Sequence, residues 1–188
     1  DHYLLGVANG IVDLITGELR CSNRSDLITK RAHVTHSIDA KCPRWLKFIN
    51  EIMDNDKELV DYLQKIVGYS LTGKTTEQKF FFLHGFGANG KSVFIETISN
   101  LLGDYSMQTP VSTLMTKATG AINNDVARLK GARFVAATET QEHSKFNESE
   151  LKQLTGGDTI TARFLHQEFF QFLPEFKLWI SGNHKPVS

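Results

Sequence analysis

The pattern G-x-x-x-x-G-K-[ST] occurs twice in this 188-residue chain, as GYSLTGKT at Gly68–Thr75 and as GFGANGKS at Gly85–Ser92. No other feature narrows the fold as much. The pattern has physical meaning only where a buried strand delivers the chain into a glycine-rich turn and a helix starts at the lysine. In that setting backbone N–H groups converge on an anion and the helix dipole is aimed at it. A chain of this size normally holds one such pocket, so the flanks must decide between the two.

GYSLTGKT fails on its flanks. Leu59, Tyr62, Leu63, Ile66 and Val67 recur before it at helical spacing, after a polar DNDKE break. That stripe puts Gly68 at the end of a helix or, if Leu71 continues it, inside one, with Gly73 as a left-handed cap. The TTEQK that follows has no helical apolar face. GFGANGKS passes. FFFLH at 80–84 is a short strand-prone run, and VFIETISNLL after the loop sets Phe94, Ile98, Leu101 and Leu102 on one helical face. Gly87 and Gly90 let the backbone approach phosphates closely. The segment Gly85, Phe86, Gly87, Ala88, Asn89, Gly90, Lys91, Ser92 and Val93 is therefore the predicted nucleoside triphosphate site. Lys91 would reach the β- and γ-phosphates, and the Ser92 hydroxyl would bind Mg²⁺.

A site that hydrolyses a triphosphate needs an acid at the end of a neighbouring strand. RFVAAT at 133–138 is followed by Glu139, Thr140, Gln141 and Glu142, and no Asp occurs between 126 and 157. Glu139 is the candidate that holds the Mg²⁺ water shell and polarises the attacking water, with Glu142 as a possible partner. KLWISG at 177–182 ends at Asn183, whose amide can orient that water; a turn-forming Asn is the plainer reading. NHKP does not supply the N/T-K-x-D element that guanine selectivity would want, so ATP is expected over GTP.

Three segments differ in character. Residues 1–42 read as an irregular β-leaning lead-in with turns at NG, TGE and SNRSD, and GIVDLITGEL as a hairpin. Residues 43–78 read as a helical hairpin, its first helix carrying Trp45, Phe48, Ile49, Ile52 and Met53 on one face behind Pro43. From Lys79 to 188, strand candidates alternate with helices, which predicts an α/β fold with a parallel sheet. Asn147 and Glu150 in NESELKQLT form a capping-box-like helix start. GGDTITARFLHQEFFQFLPEFK reads as a β-hairpin with a polar tip at LHQE. Arg163 and His166 on it, with Lys152 in the preceding helix, are candidates for gripping phosphates of a passing nucleic-acid strand. Solvated surface cations are the plainer reading. Phe164, Phe169, Phe170, Phe172 and Phe176 are expected in the core rather than as a stacking platform.

Lys plus Arg equals Asp plus Glu at 21 each, so no basic footprint points to a protein that coats nucleic acid. Cys21 and Cys42 form no C-x-x-C pair and are expected to be reduced thiols of an intracellular protein. No apolar run approaches a membrane span and the start has no basic n-region, so neither span nor signal peptide is expected. The chain does not begin with Met and stops at KPVS just after a strong strand, which suggests a piece of something longer.

Taken in order, GFGANGKS, LKGARFVAATET, LKQLTGGDTITARFLHQEFF and FKLWISGNHKP resemble the motifs of superfamily 3 helicases, above all the phage/plasmid and poxvirus type of primase–helicase. The resemblance runs from about Lys79 to Val187, and NGIVDLITGEL with the helical pair resembles the segment that precedes these motifs there. It implies a P-loop NTPase of AAA+-like type that assembles as a ring, usually a hexamer. It also implies ATP-driven movement on single-stranded or forked DNA, a primase module on the same polypeptide, and a bacterial cytoplasm as the setting. Under it Glu139 becomes the Walker B acid, Asn183 the sensor, and Lys152, Arg163 and His166 the DNA contacts. The segment 43–78 would be a collar between subunits. Two departures stand: Glu139 and Glu142 are separated by two residues, leaving their division of labour open, and the family's arginine finger lies beyond the last residue of this chain. A P-loop ATPase or kinase acting on something other than DNA, and a nucleotide-binding assembly module with little catalysis, remain the alternatives.

Overall fold

The computed structural model describes residues 1–114, 124–138 and 146–183. The lead-in folds as a three-stranded antiparallel sheet of β1 (Leu4–Val7), β2 (Gly10–Asp13) and β3 (Leu19–Arg20). The expected hairpin is the β2–β3 pair, with Ile11 opposite Arg20 and Val12 opposite Leu19. Two helices follow, α1 (Pro43–Ile52), with Pro43 in its first turn, and α2 (Lys57–Leu71), capped by the Asp56 side chain on Leu59 N–H. The remaining elements are β4 (Phe81–His84), α3 (Lys91–Leu102), β5 (Ser106–Pro110), α4 (Asn124–Ala127), β6 (Phe134–Thr138), α5 (Glu148–Thr155), β7 (Ile160–Ala162), β8 (Phe170–Phe172) and β9 (Lys177–Gly182).

Four strands make the central sheet in the order β4-β9-β6-β5, every pair parallel. Strands buried on both faces read as continuous apolar runs, and β9 is buried at every position. Its alternation separates two cores. Trp179 of β9 joins Phe134 and Ala136 of β6 on one face, beneath α3 and the helical pair. Leu178 and Ile180 join Val135 and Ala137 on the other, beneath α4, α5 and the β7–β8 hairpin. Trp179 is the hub of the first core, with ring centroids 4.6 Å from Phe81, 5.4 Å from Phe134 and 5.5 Å from Phe94. Each such pair adds about 1 kcal/mol beyond burial.

Local differences from the sequence reading have simple causes. The buried face of α3 is Phe94, Ile95, Ile98 and Leu102, while Leu101 lies at its edge. At 100° per residue, that set is centred away from Leu101. On α2, Leu59 and Tyr62 are exposed, and the helix turns Val60, Leu63 and Ser70 inward instead. Asn147 caps α5 as expected, its side chain accepting from Glu150 N–H at 3.2 Å. Cys21 and Cys42 are free and exposed. Among the described residues no helix is long and apolar enough to cross a membrane.

GYSLTGKT is structural. Gly68–Leu71 is the last turn of α2, and the cap is Thr72 in extended conformation, not a left-handed Gly73. Gly73 is needed for a different reason: its N–H donates to His2 O at 2.8 Å, and an added Cβ would lie 2.7 Å from the His2 ring. Buried Ser70 accepts from the Trp179 indole at 3.0 Å. The carbonyls that follow receive two buried cations. Arg133 donates to Leu71 O at 2.7 Å and Leu4 O at 2.8 Å. Lys177 donates to Thr72 O and to Lys74 O.

Candidate functional site

Helix α3, which follows β4, packs in one core, and α5, which comes after β6, packs in the other. An α/β sheet whose helices go to opposite faces in this way opens a crevice at the carboxyl ends of its parallel strands. A cleft of about 810 Å³ lies there, lined by Gly87–Val93, by Thr138 at the end of β6 and by Ser181, Gly182 and Asn183 at the end of β9. Phe48, Glu51 and Ile52 of α1 complete its lining.

The loop is built by backbone conformations that its residues make possible. Gly85 is at φ 158°, Ala88 at 62° and Gly90 at 84°, and Gly90 is the N-cap of α3. Lys91 opens the helix and folds back over the loop, its ammonium donating to Gly85 O and, at 2.8 Å, to Asn89 Oδ1. A lysine has three N–H donors, and two of them hold the loop. Of the nine predicted binding residues, Gly87, Ala88, Asn89, Gly90, Lys91, Ser92 and Val93 line the cleft. Gly85 sits behind it, holding Lys91, and Phe86 points outward, 78% exposed.

Gly90 is tied to its neighbours as well as to its own φ. A Cβ there would lie 2.7 Å from Ile52 Cγ2 and 3.1 Å from Phe48 Cε2. Gly90→Ala is therefore expected to destabilise the protein by about 1–3 kcal/mol and to push the loop away from α1. Denaturant unfolding of the variant beside wild type measures it.

Asn183 is exposed on the cleft rim, next to buried Ser181 and Gly182. Glu139 and Glu142 lie outside the described residues; Thr138, the residue before Glu139, is on the cleft wall. Among the described residues, no three His, Cys, Asp or Glu side chains converge as a metal site. Of the residues predicted to hold Mg²⁺, Ser92 is in the cleft lining, and a hydroxyl is an oxygen donor of the kind a hard cation takes.

The β7–β8 hairpin is antiparallel, with Ile160 opposite Phe172 and Ala162 opposite Phe170, and contributes nothing to the cleft. His166 stands at its tip with φ 61° and is exposed. The Arg163 guanidinium lies 4.8 Å from the Phe169 ring centroid, and Phe164 stacks on Phe170 at 5.7 Å. Lys152 is apart from the tip, exposed on α5 and 3.8 Å from Glu148. The expectation that all five phenylalanines are core is corrected. Phe172 and Phe176 are buried, but Phe164 is 38% and Phe169 57% exposed. The strands cover the second core only as far as their ladder extends, and these two residues lie beyond it.

Sequence reasoning missed the contribution of α1. Its apolar stripe announced burial, and nothing in its spacing told that part of that face borders the glycine loop far along the chain.

The N-terminal 54 residues match a family model described as D5 N terminal like, and residues 83–188 match one described as a family of unknown function (DUF5906). Over its whole length the chain is 31% identical to a protein of Acanthamoeba polyphaga mimivirus named "Putative helicase", of which it covers 20%. It is 27% identical, over 88% of its length, to a protein of African swine fever virus named "Putative primase", covering 18% of that protein. The chain thus spans a fifth or less of these relatives. Among solved structures, the apo C-terminal region of NrS-1 is similar in fold, with a TM-score of 0.61 at 11% identity, covering 76% of this chain and 34% of that one.

Proposed function

We propose a role in DNA replication for this chain, which belongs to the DUF5906 family and, by its D5-like N-terminal segment and its viral relatives, to the phage and viral primase–helicases. Our reading is that it is the P-loop ATPase core, of AAA+-like type, of a helicase motor that binds ATP in the cleft and moves on single-stranded DNA as a ring, a hexamer in the simplest case. The observation that carries this is the convergence of Gly87–Val93 with the ends of β6 and β9 in one cleft. That arrangement supports phosphoryl transfer, because the phosphates and the hydrolytic groups must share one space.

In this reading the loop amides and the Lys91 ammonium bind the triphosphate, and the N-terminal end of α3 faces it. Ser92, with Glu139 and Glu142 through water, would hold Mg²⁺, which when bound neutralises charge on the phosphates. Glu139 takes the proton of the attacking water, and the Asn183 amide orients that water. The segment 43–78 is read as a collar and 79–188 as the motor. Lys152, Arg163 and His166 are the proposed contacts to DNA phosphates, with Phe164 and Phe169 available to bases.

The test uses the full-length protein: ATP turnover with and without single-stranded DNA, and unwinding of a forked duplex. Stimulation by single strands is the expected result; turnover indifferent to DNA in an assembled ring would turn the reading toward an ATPase with another substrate. Arg163→Ala and His166→Ala are each expected to weaken single-strand affinity roughly threefold to tenfold, and Arg163→Ala also to flatten its salt dependence, with ATP affinity unchanged. Fluorescence anisotropy with a labelled oligonucleotide at two salt concentrations measures both.

A further inference from the structure

Helix α1 reaches the cleft from far upstream in the chain. Phe48 and Ile52 are half-buried there, packed against the backbone at Gly90. Phe48 is backed by Trp45, with ring centroids 5.6 Å apart, and Trp45 by Phe94 of α3 at 5.8 Å, so the aromatic wall is anchored to the same helix that starts at Lys91. Beside this wall Glu51 lines the cleft. Its ion pair with Lys47, at 3.7 Å, is exposed on both sides, and such a pair contributes little.

A carboxylate bordering an anion-binding cleft repels phosphate. Unlike the acids proposed to act through Mg²⁺, Glu51 stands beside an apolar wall, and what suits it there is a part of the ligand that donates hydrogen bonds. An apolar wall with one charged acceptor matches a nucleoside: the flat face lies on carbon and a polar edge meets the carboxylate. We infer that Phe48, Glu51 and Ile52 form the nucleoside subsite of the cleft, with Glu51 accepting a hydrogen bond from a ribose hydroxyl or an exocyclic amine. Phe48 and Ile52 supply the surface and Glu51 the selectivity. The inference rests on the reading of Gly85–Ser92 as a triphosphate loop.

Calorimetric titration of the full-length protein with ATP, 2′-deoxyATP, ITP and inorganic tripolyphosphate separates the two. Glu51→Ala is expected to weaken ATP about tenfold, the worth of one charge-assisted hydrogen bond, and to leave tripolyphosphate binding unchanged or slightly tighter. In wild type, 2′-deoxyATP falls to the level of the variant if the donor is the hydroxyl, and ITP if it is the amine. Glu51→Gln, which keeps an acceptor, should recover part of the loss. ATP affinity unchanged in Glu51→Ala, or equal losses for ATP and tripolyphosphate, would overturn the subsite. A wild type that binds neither ATP nor tripolyphosphate would overturn the triphosphate reading of the loop itself.

Discussion

Lys91→Ala is expected to lower ATP turnover on the order of a thousandfold, the scale on which removing one charge-stabilising donor from a preorganised site acts, and to abolish unwinding of a forked duplex. Two effects add. The variant loses the cation proposed to face the phosphates, and it loses the two bonds by which Lys91 draws Gly85 O and Asn89 Oδ1 together. Binding of ATP should weaken as well, because the loop then has to be ordered by its ligand. The chain carries its own control. Lys74→Ala in GYSLTGKT should leave turnover unchanged, since what that segment contributes is the backbone carbonyl of Lys74, which alanine keeps. Equal loss in both variants would point to damage of the fold. Turnover within a few-fold of wild type in Lys91→Ala would remove the glycine loop from the mechanism.

The contrast between the two lysines also shows what was legible. FFFLH, RFVAAT and KLWISG read as strands because parallel strands covered on both faces are dominated by apolar runs. SMQTP went unread because β5 is the edge strand, paired with β6 alone, where Gln108 is exposed at little cost and buried Thr109 donates to Thr113 instead. The rejection of GYSLTGKT followed from helical spacing before it, and the structure puts Gly68 inside α2. The reason that segment is built as it is could not be read. Ser70 meets Trp179, and the Leu71, Thr72 and Lys74 carbonyls meet Arg133 and Lys177, at separations of 62 to 109 residues. Contacts of that kind leave no periodicity. The same holds for Phe48, Glu51 and Ile52 at the cleft.

Arg133 and Lys177 open two of the strand runs read from the sequence, and both are buried, with Lys177 1% exposed. Lys177→Met is expected to destabilise the protein by about 2–4 kcal/mol, because it strands the carbonyls of Thr72, Lys74 and Glu175 that the ammonium serves. Volume is nearly conserved, so the loss comes from polar groups left unpaired rather than from a cavity. The pH dependence identifies the group. Burial, with the neighbouring Arg133 charge, pushes the Lys177 ammonium down from 10.5 to about 7, against a smaller opposing effect of Glu175. The Tyr69 ring, 4.8 Å from its nitrogen, is the aromatic face turned toward it. Between pH 7 and 10.5 the unfolded chain holds this proton and the folded one releases it, so stability rises with pH across that window. Below pH 7 both states are charged and the contribution is flat at its lowest value. Urea unfolding from pH 6 to 10 should show wild type gaining on Lys177→Met through the window, and parallel curves would mean that Lys177 stays protonated among its carbonyls throughout.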